Sequence, residues 1–342
     1  MKRIIPLCLA LVMTVGLLTG CGKQNEPAAS DETRLRVVTT IFPEYDWVRE
    51  ILGDKADNAE VTMLLDNGVD LHSYQPTADD IVKISECDLF IYVGGESDDW
   101  VDDALKNAAN KNRKVINLLE ALGDSVKTEE VVEGMQEEEH DHDHDHEDTD
   151  EHDDAKEHDN EEEAEYDEHV WLSLKNAQTL CSAISSVLQQ IDPDNKDTYA
   201  ANASAYIKKL SALDADYQAA VNAAACKTVL FGDRFPFRYL AEDYGLRYYA
   251  AFAGCSAESE ASFETVSFLA GKVDELNLPC VLTIEGVQHK IAETIVRNTA
   301  AKNQKVLTMD SMQSTTSKDA ANGTTYLSVM ERNLSVLKEA LG

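Results

Sequence analysis

Short apolar runs alternate with helical segments in two blocks along the chain, and a stretch without any strand-like run separates the blocks. Such alternation is typical of strand–helix–strand units around a parallel sheet. The strand-like runs are RLRVVTT, VTMLLD, LFIYVGG and KVINLL in the first block and KTVLFGD, LRYYAAFAG, PCVLTIEG and KVLTMDS in the second. The sequence therefore predicts an α/β protein with two pseudo-equivalent lobes, each with about four strand–helix units and a parallel sheet.

The strand-free stretch over 172–225 is rich in Ala, Leu, Gln and Lys, with apolar residues three and four positions apart. This spacing predicts helices, and the pair Asp192 and Pro193 divides the stretch into two. The second helix, over 194–225, is about 40 Å long if continuous and joins the lobes rigidly. Because ligands of open α/β sheets bind beyond the carboxyl ends of the strands, we expect the binding site in the cleft between the lobes.

The chain begins with basic residues, an apolar run that ends at Leu18, and small residues before Cys21. The run is too short to span a membrane comfortably, and the pattern is typical of a bacterial lipoprotein signal peptide. We expect cleavage before Cys21 and lipidation of its thiol, which places the protein outside the cytoplasm on a lipid anchor; the alternative is an uncleaved anchor helix. The predicted parts are a signal peptide at 1–20, a polar leash at 21–33, an amino lobe at 34–193, a linker helix at 194–225 and a carboxyl lobe at 226–342.

An acidic, histidine-rich segment interrupts the amino lobe. Residues 128–168 hold 23 of the 64 Asp and Glu residues but one of the 30 Lys and Arg residues, and so carry most of the net charge of −34. Because this composition cannot form a packed core, we expect a disordered insert over about 128–167. An acidic chain also lacks the basic surface that nucleic acid requires.

Alternating His and Asp residues in this insert form what we call the histidine ladder. Its members are His140, His142, His144, His146, His152 and His158. Binding an ion here requires ordering a flexible chain, so the ladder should bind zinc more weakly than a preformed cleft does. We interpret it as a tethered collector that raises the metal concentration near the cleft; the alternative is a solubilising spacer.

Four further residues stand where the predicted cleft would need ligands. His72 lies in a loop after a strand, and His169 lies where the insert ends and the chain becomes apolar; Glu285 and Asp310 each follow a strand. Each has a purely structural alternative, as a turn histidine or a capping carboxylate. Imidazole and carboxylate ligands together suit Zn²⁺, with Mn²⁺ as the alternative. The sequence contains no H-E-x-x-H, G-x-S-x-G or phosphate-loop motif, so it does not predict an enzyme.

The segments GVDLHSYQPT, DEHVWLSLKNA and FRYLAEDYGL, with the histidine-rich insert between the first two, make the chain resemble the zinc- and manganese-type substrate-binding lipoproteins of bacterial ABC transporters. The resemblance covers essentially the whole mature chain. It implies a monomeric protein that captures Zn²⁺ between two lobes and delivers it to a membrane permease driven by an ATPase. It also implies that His72 and His169 are the amino-lobe ligands.

The carboxyl lobe departs from the family pattern. Where the family has His or Glu before the F-x-Y-L run, this chain has Arg234, and a guanidinium cannot donate a lone pair to a metal. Either Asp233 takes its place, or a ligand comes from another loop while Arg234 organises carboxylates by its charge. The resemblance favours Asp310, after the last strand, with Asp233 and Glu285 next and Cys255 last. The cysteines after Cys21 are otherwise interpreted as small core residues.

Three other functions are compatible with these residues. They are a manganese-type transport protein, a surface adhesin or zinc store, and a zinc-dependent hydrolase on the same scaffold. A hydrolase needs an open coordination position and a general base, and the sequence shows no acid–base motif beside the two histidines.

Overall fold

The computed structural model describes residues 34–106, 108–136, 165–256, 260–286 and 289–342. The predicted signal peptide, the leash with Cys21 and the histidine ladder lie outside these residues. Within them, the structure contains no helix long and apolar enough to cross a membrane.

The amino lobe contains a four-stranded parallel sheet with strand order β2-β1-β3-β4. Its elements are β1 (Leu35–Thr39), α1 (Phe42–Leu52), β2 (Ala59–Met63), α2 (Ala78–Glu86), β3 (Leu89–Tyr92), α3 (Trp100–Leu105), β4 (Lys114–Asn117) and α4 (Leu118–Leu122). The predicted strand KVINLL ends early, because the Asn117 side chain accepts a hydrogen bond from the Glu120 backbone and caps α4.

The carboxyl lobe repeats this arrangement in a second four-stranded parallel sheet with order β6-β5-β7-β8. Its elements are β5 (Thr228–Arg234), α7 (Arg238–Tyr244), β6 (Arg247–Phe252), α8 (Phe263–Leu276), β7 (Cys280–Thr283), α9 (Lys290–Asn298), β8 (Lys305–Thr308), α10 (Ser317–Ala321) and α11 (Tyr326–Leu341). In each sheet the first strand of the lobe lies second in the order, so the predicted pseudo-equivalence of the lobes is confirmed.

Two helices occupy the strand-free stretch, as predicted. They are α5 (Leu174–Ile191) and the 28-residue α6 (Lys196–Ala223). Near one end of α6, the Asn202 amide donates to the Ile51 carbonyl of α1 over 3.0 Å; further along, the Tyr217 hydroxyl donates to the Met330 carbonyl of α11 over 2.7 Å. One continuous helix is thus bonded to both lobes, which makes the connection stiff.

The carboxyl-terminal helix also packs on the amino lobe. The backbone amide of Tyr326 donates to the Asp46 carboxylate in α1 over 2.9 Å, and the Tyr326 hydroxyl donates to the Trp171 carbonyl over 2.7 Å. The Tyr326 ring meets Trp47 edge to face at 5.1 Å. All of these side chains are buried, and residues of both lobes share one apolar core.

The histidine-rich insert starts and ends inside an ordered neck, so the prediction of disorder over 128–167 is wrong at both margins. Thr128 pairs with Tyr166 in an antiparallel bridge, the Glu129 amide donates to the Glu165 carbonyl, and the Asp167 amide donates to the Lys127 carbonyl. These backbone bonds order a polar segment whose composition alone predicted disorder.

The first branch of the insert continues onto the carboxyl lobe. The Gln136 backbone amide donates to the Ala251 carbonyl over 2.9 Å, and its side-chain oxygen accepts from the Ser262 amide over 2.8 Å. Met135 beside it is buried. This branch, up to Gln136, therefore belongs to the amino lobe in sequence but rests on β6 and on the residue before α8.

Asp46 offers a pH test of the junction between α1 and α11. Burial raises its pKa to about 7, against the hydrogen bond from Tyr326. Between about pH 4 and 7 the folded state then holds a proton that the unfolded state has released, so acidification stabilises the fold through this group. We expect the free energy of unfolding to rise by about 2 to 3 kcal/mol more in the wild type than in Asp46→Asn on going from about pH 8 to about pH 5.

Denaturant unfolding at the two pH values measures this difference, and the exposed Asp216→Asn serves as the matched control. Identical pH dependence in the wild type and Asp46→Asn would contradict the assignment.

Candidate metal centre

His72 lies in a single turn of 3-10 helix, Leu71–Ser73, which follows β2. The Asp70 carboxylate begins this turn by accepting a hydrogen bond from the His72 backbone amide over 3.1 Å. The imidazole Nδ1 lies 2.8 Å from the Ser97 hydroxyl and 3.4 Å from the Glu168 carboxylate, and the side chain is 11% exposed. When Nδ1 carries the proton and donates to these oxygens, Nε2 has a free lone pair.

His169 precedes a second 3-10 turn, Val170–Leu172, which leads into α5. The imidazole is fully buried. One oxygen of Asp167 accepts from the His169 backbone amide over 2.9 Å and lies 3.0 Å from Nδ1. This carboxylate fixes the orientation of the ring and directs Nε2 toward His72.

The two Nε2 atoms lie 3.3 Å apart. Burial, and then the neighbouring His169, lower the pKa of His72 to about 3, so this imidazole is neutral at physiological pH. Two imidazoles whose lone pairs converge at this distance form one edge of a metal coordination polyhedron.

Asp70 connects this pair to the carboxyl lobe. The guanidinium of Arg234, at the end of β5, donates to Asp70 Oδ2 over 2.5 Å. The Gln313 side-chain amide, with its NH₂ group toward Asp70, donates to both carboxylate oxygens at 2.6 and 2.8 Å, and its oxygen accepts from His169 Nε2 over 2.9 Å. A metal at Nε2 would replace this proton. Burial raises the pKa of Asp70, but the charge of Arg234 and the hydrogen bonds from Arg234 and the His72 backbone outweigh it and leave the pKa below its ordinary value.

The three carboxylates expected from the sequence each accept hydrogen bonds in the structure, and two of them, Asp233 and Glu285, line the cavity beside His72. Glu285 accepts from the Ser311 backbone amide and hydroxyl and from the Gln313 backbone amide, at 2.6 to 3.0 Å. Asp310 accepts from the Met312 amide over 2.9 Å, and Asp233 accepts from the Arg234 amide over 2.9 Å. Glu285 and Asp310 thus shape the loop that carries Gln313.

The structure instead brings Cys255 to the histidines. In the described part of the chain, the metal-ligating atoms of His72, His169 and Cys255 all lie within 4.8 Å of one another. The Cys255 backbone amide donates to the Glu129 carboxylate over 2.8 Å, which fixes the loop after β6 to the neck of the insert. Burial, and then the charge of Glu129, raise the pKa of this thiol.

Sequence reasoning ranked Cys255 last and missed Asp70 and Gln313. The one available signal was Arg234 in the position of a family ligand, since it left the third ligand to Asp233 or to another loop. The remaining described cysteines agree better with the core interpretation, because Cys87, Cys181 and Cys280 are buried.

A cavity of about 840 Å³ opens beside the histidine pair. Asp70 and His72 line it from the amino lobe, and Asp233, Arg234 and Glu260 line it from the carboxyl lobe. The predicted cleft between the lobes is therefore present, with His72 in its wall.

A comparison with protein families identifies this arrangement. The family model described as ZnuA, zinc-uptake complex component A, periplasmic, matches residues 37–340. The chain belongs to the ZnuA family. This membership confirms the resemblance seen in the sequence motifs, and ZnuA-type structures share the fold of two lobes and a long connecting helix.

Two curated relatives are similar over nearly the whole chain. The zinc-binding lipoprotein AdcA of Streptococcus pneumoniae serotype 4 is 31% identical over 339 residues, which cover 99% of this chain and 61% of AdcA. The high-affinity zinc uptake system protein ZnuA of Bacillus subtilis is 31% identical over 327 residues, which cover 95% of this chain and 94% of that protein. This member of the ZnuA family thus spans about three fifths of AdcA.

A solved structure resembles the chain at similar identity. The Zn(II)-bound ZnuA-like domain of Streptococcus pneumoniae AdcA has a TM-score of 0.66 and 29% identity, and the alignment covers 90% of this chain and 99% of that one. Zinc therefore occupies a ZnuA-like domain of closely similar fold.

Gly254 tests how tightly the His169 ring is held. A Cβ atom at this position would lie 3.0 Å from the Phe235 carbonyl oxygen and 3.1 Å from His169 Nδ1. We expect Gly254→Ala to displace the ring or its loop and to weaken zinc binding by about five- to tenfold.

The control is Gly271→Ala in α8, where a Cβ atom would meet no heavy atom within 4 Å. Competition with a chromophoric chelator compares the two variants. Unchanged zinc affinity in Gly254→Ala would show that the ring has more room than the structure indicates.

Proposed function

We propose that this protein binds Zn²⁺ between its lobes through His72 and His169 and delivers the ion to an ABC permease. The observation that carries the proposal is the 3.3 Å separation of the two Nε2 atoms. Tetrahedral zinc with Zn–N bonds of about 2.0 to 2.1 Å requires its ligand atoms to be about 3.3 to 3.4 Å apart. The imidazoles are thus spaced for zinc without rearrangement.

The surroundings of the pair support tight binding. Asp167 and Ser97 hold the outer nitrogens of the imidazoles, and such hydrogen bonds orient metal-binding histidines and make them more basic. Because both rings are buried or nearly so, little side-chain entropy remains to be lost when the ion binds.

The names of the relatives and the hydrogen bonds of the nearby acids support transport rather than catalysis. The Bacillus subtilis relative is named as a zinc uptake protein, and the Streptococcus pneumoniae relative as a zinc-binding lipoprotein. Asp70 is bound to Arg234, and Asp167 to His169, so neither is free to act as the general base of a hydrolase. The protein is proposed to act outside the cytoplasm as a lipoprotein anchored through Cys21, with a permease and an ATPase as its partners.

The histidine ladder is proposed to collect zinc for this site. The neck that carries it lies directly before His169, and Glu129 of the neck contacts the loop of Cys255. Ions held in the ladder are therefore tethered near the cleft, which raises their effective concentration there.

Removing both imidazoles tests the cleft. We expect His72→Ala/His169→Ala to weaken binding of the tightest zinc ion by at least about a hundredfold, since two of its ligands are lost. Chelator competition measures the affinity, and His289→Ala, outside the described ligand group, serves as the control. A double variant that still binds one ion per chain as tightly as the parent would contradict the proposal.

Deleting 138–164 tests the ladder while leaving the neck in place. We expect cleft affinity to change less than about twofold, because the neck preserves His169, whereas growth on scarce zinc should slow because fewer ions are held nearby. Replacing the six ladder histidines with Asn in a chain of full length is the control for loop length. Normal growth of both strains would support a spacer instead.

A further inference from the structure

We infer that Cys255 supplies a thiolate as the third zinc ligand, so that the cleft holds the ion with two imidazoles and one sulfur. This inference rests on the proposed zinc site at His72 and His169. It also gives the carboxyl lobe a metal ligand, which Arg234 cannot be because a guanidinium has no lone pair to donate.

The first support is distance. The ligand atoms of Cys255 and the two histidines lie within 4.8 Å of one another. With Zn–S near 2.3 Å and Zn–N near 2.0 Å, a tetrahedral site places sulfur about 3.5 Å from each nitrogen. A small movement of one side chain therefore closes the site, whereas Asp233, Glu285 and Asp310 hold other partners and lie outside the described ligand group.

The second support is the construction of the loop around Cys255. Glu129 binds its backbone amide over 2.8 Å, and the Arg234 guanidinium donates to the carbonyl of the next residue, Ser256, over 3.4 Å. On the other side, Gly254 lies against the His169 ring, where an added Cβ atom would come within 3.1 Å of Nδ1. Groups from three other elements thus hold the thiol beside the imidazoles.

The third support is charge and ligand chemistry. Two neutral imidazoles leave both charges of Zn²⁺ uncompensated, and the charge of Asp70 is shared with Arg234. A thiolate supplies one negative charge at the ion, and the thiol proton passes to water as the Zn–S bond forms. Sulfur ligands favour zinc over manganese, so Cys255 would also set the metal preference of the site.

Cobalt(II) provides a spectroscopic test, because a thiolate bound to Co²⁺ gives a near-ultraviolet charge-transfer band that nitrogen and oxygen ligands do not give. We expect the band in the full-length chain loaded with one Co²⁺, its loss in Cys255→Ser, and its retention in Cys226→Ser, a half-buried control outside the described ligand group. Cys255→Ser should also reduce the preference for Zn²⁺ over Mn²⁺ by about tenfold or more.

A second measurement on the unaltered chain avoids dependence on the folding of the variant. Zinc should protect Cys255 from alkylation by iodoacetamide, with mass spectrometry locating the label, while the labelling of Cys226 should not change.

Two results overturn the inference: a cobalt complex without the charge-transfer band, or alkylation of Cys255 at the same rate with and without zinc. Either result leaves the histidine site standing, because that proposal fails only if zinc binding survives the loss of both imidazoles.

Discussion

The Asp70 carboxylate holds together three loops of the cleft. It accepts hydrogen bonds from the His72 backbone, from the Arg234 guanidinium and from the Gln313 side-chain amide. A partly buried carboxylate is costly unless it is paired and hydrogen-bonded, so these donors stabilise one another's positions. Two of them come from the carboxyl lobe, so this amino-lobe acid joins the two sides of the cleft.

The role of Arg234 follows from that arrangement. It occupies the position at which the family resemblance implies a metal ligand, but its charge is directed to Asp70 and its second nitrogen reaches the Ser256 carbonyl. The residue thus holds the lobes together and positions the loop of Cys255. The coordinating role has moved from a strand end to the loop after the neighbouring strand, β6, and the site retains a donor from each lobe.

Much of the architecture was predictable because the spacing of apolar residues along the chain reflects which of them are buried. All eight strands, their division into two lobes and the long helix follow from apolar runs and their spacing, and His72 was predictable from its place after a strand. The neck of the insert was not, because backbone bonds such as that from Glu129 to Glu165 leave no mark in composition. The grouping of Cys255 with the histidines, and that of Gln313 with Asp70, depends on how distant loops meet, which local sequence does not encode.

The antiparallel bridge between Thr128 and Tyr166 separates the length of the histidine-rich segment from the position of His169. The bridge joins the two ends of the segment 128–166, and the free-energy cost of closing a loop rises by only about 0.6 kcal/mol for each doubling of its length. A change in the number of histidine–aspartate repeats between these joined ends would therefore leave His169 in place. The length of the segment and the geometry of the histidine pair are set independently.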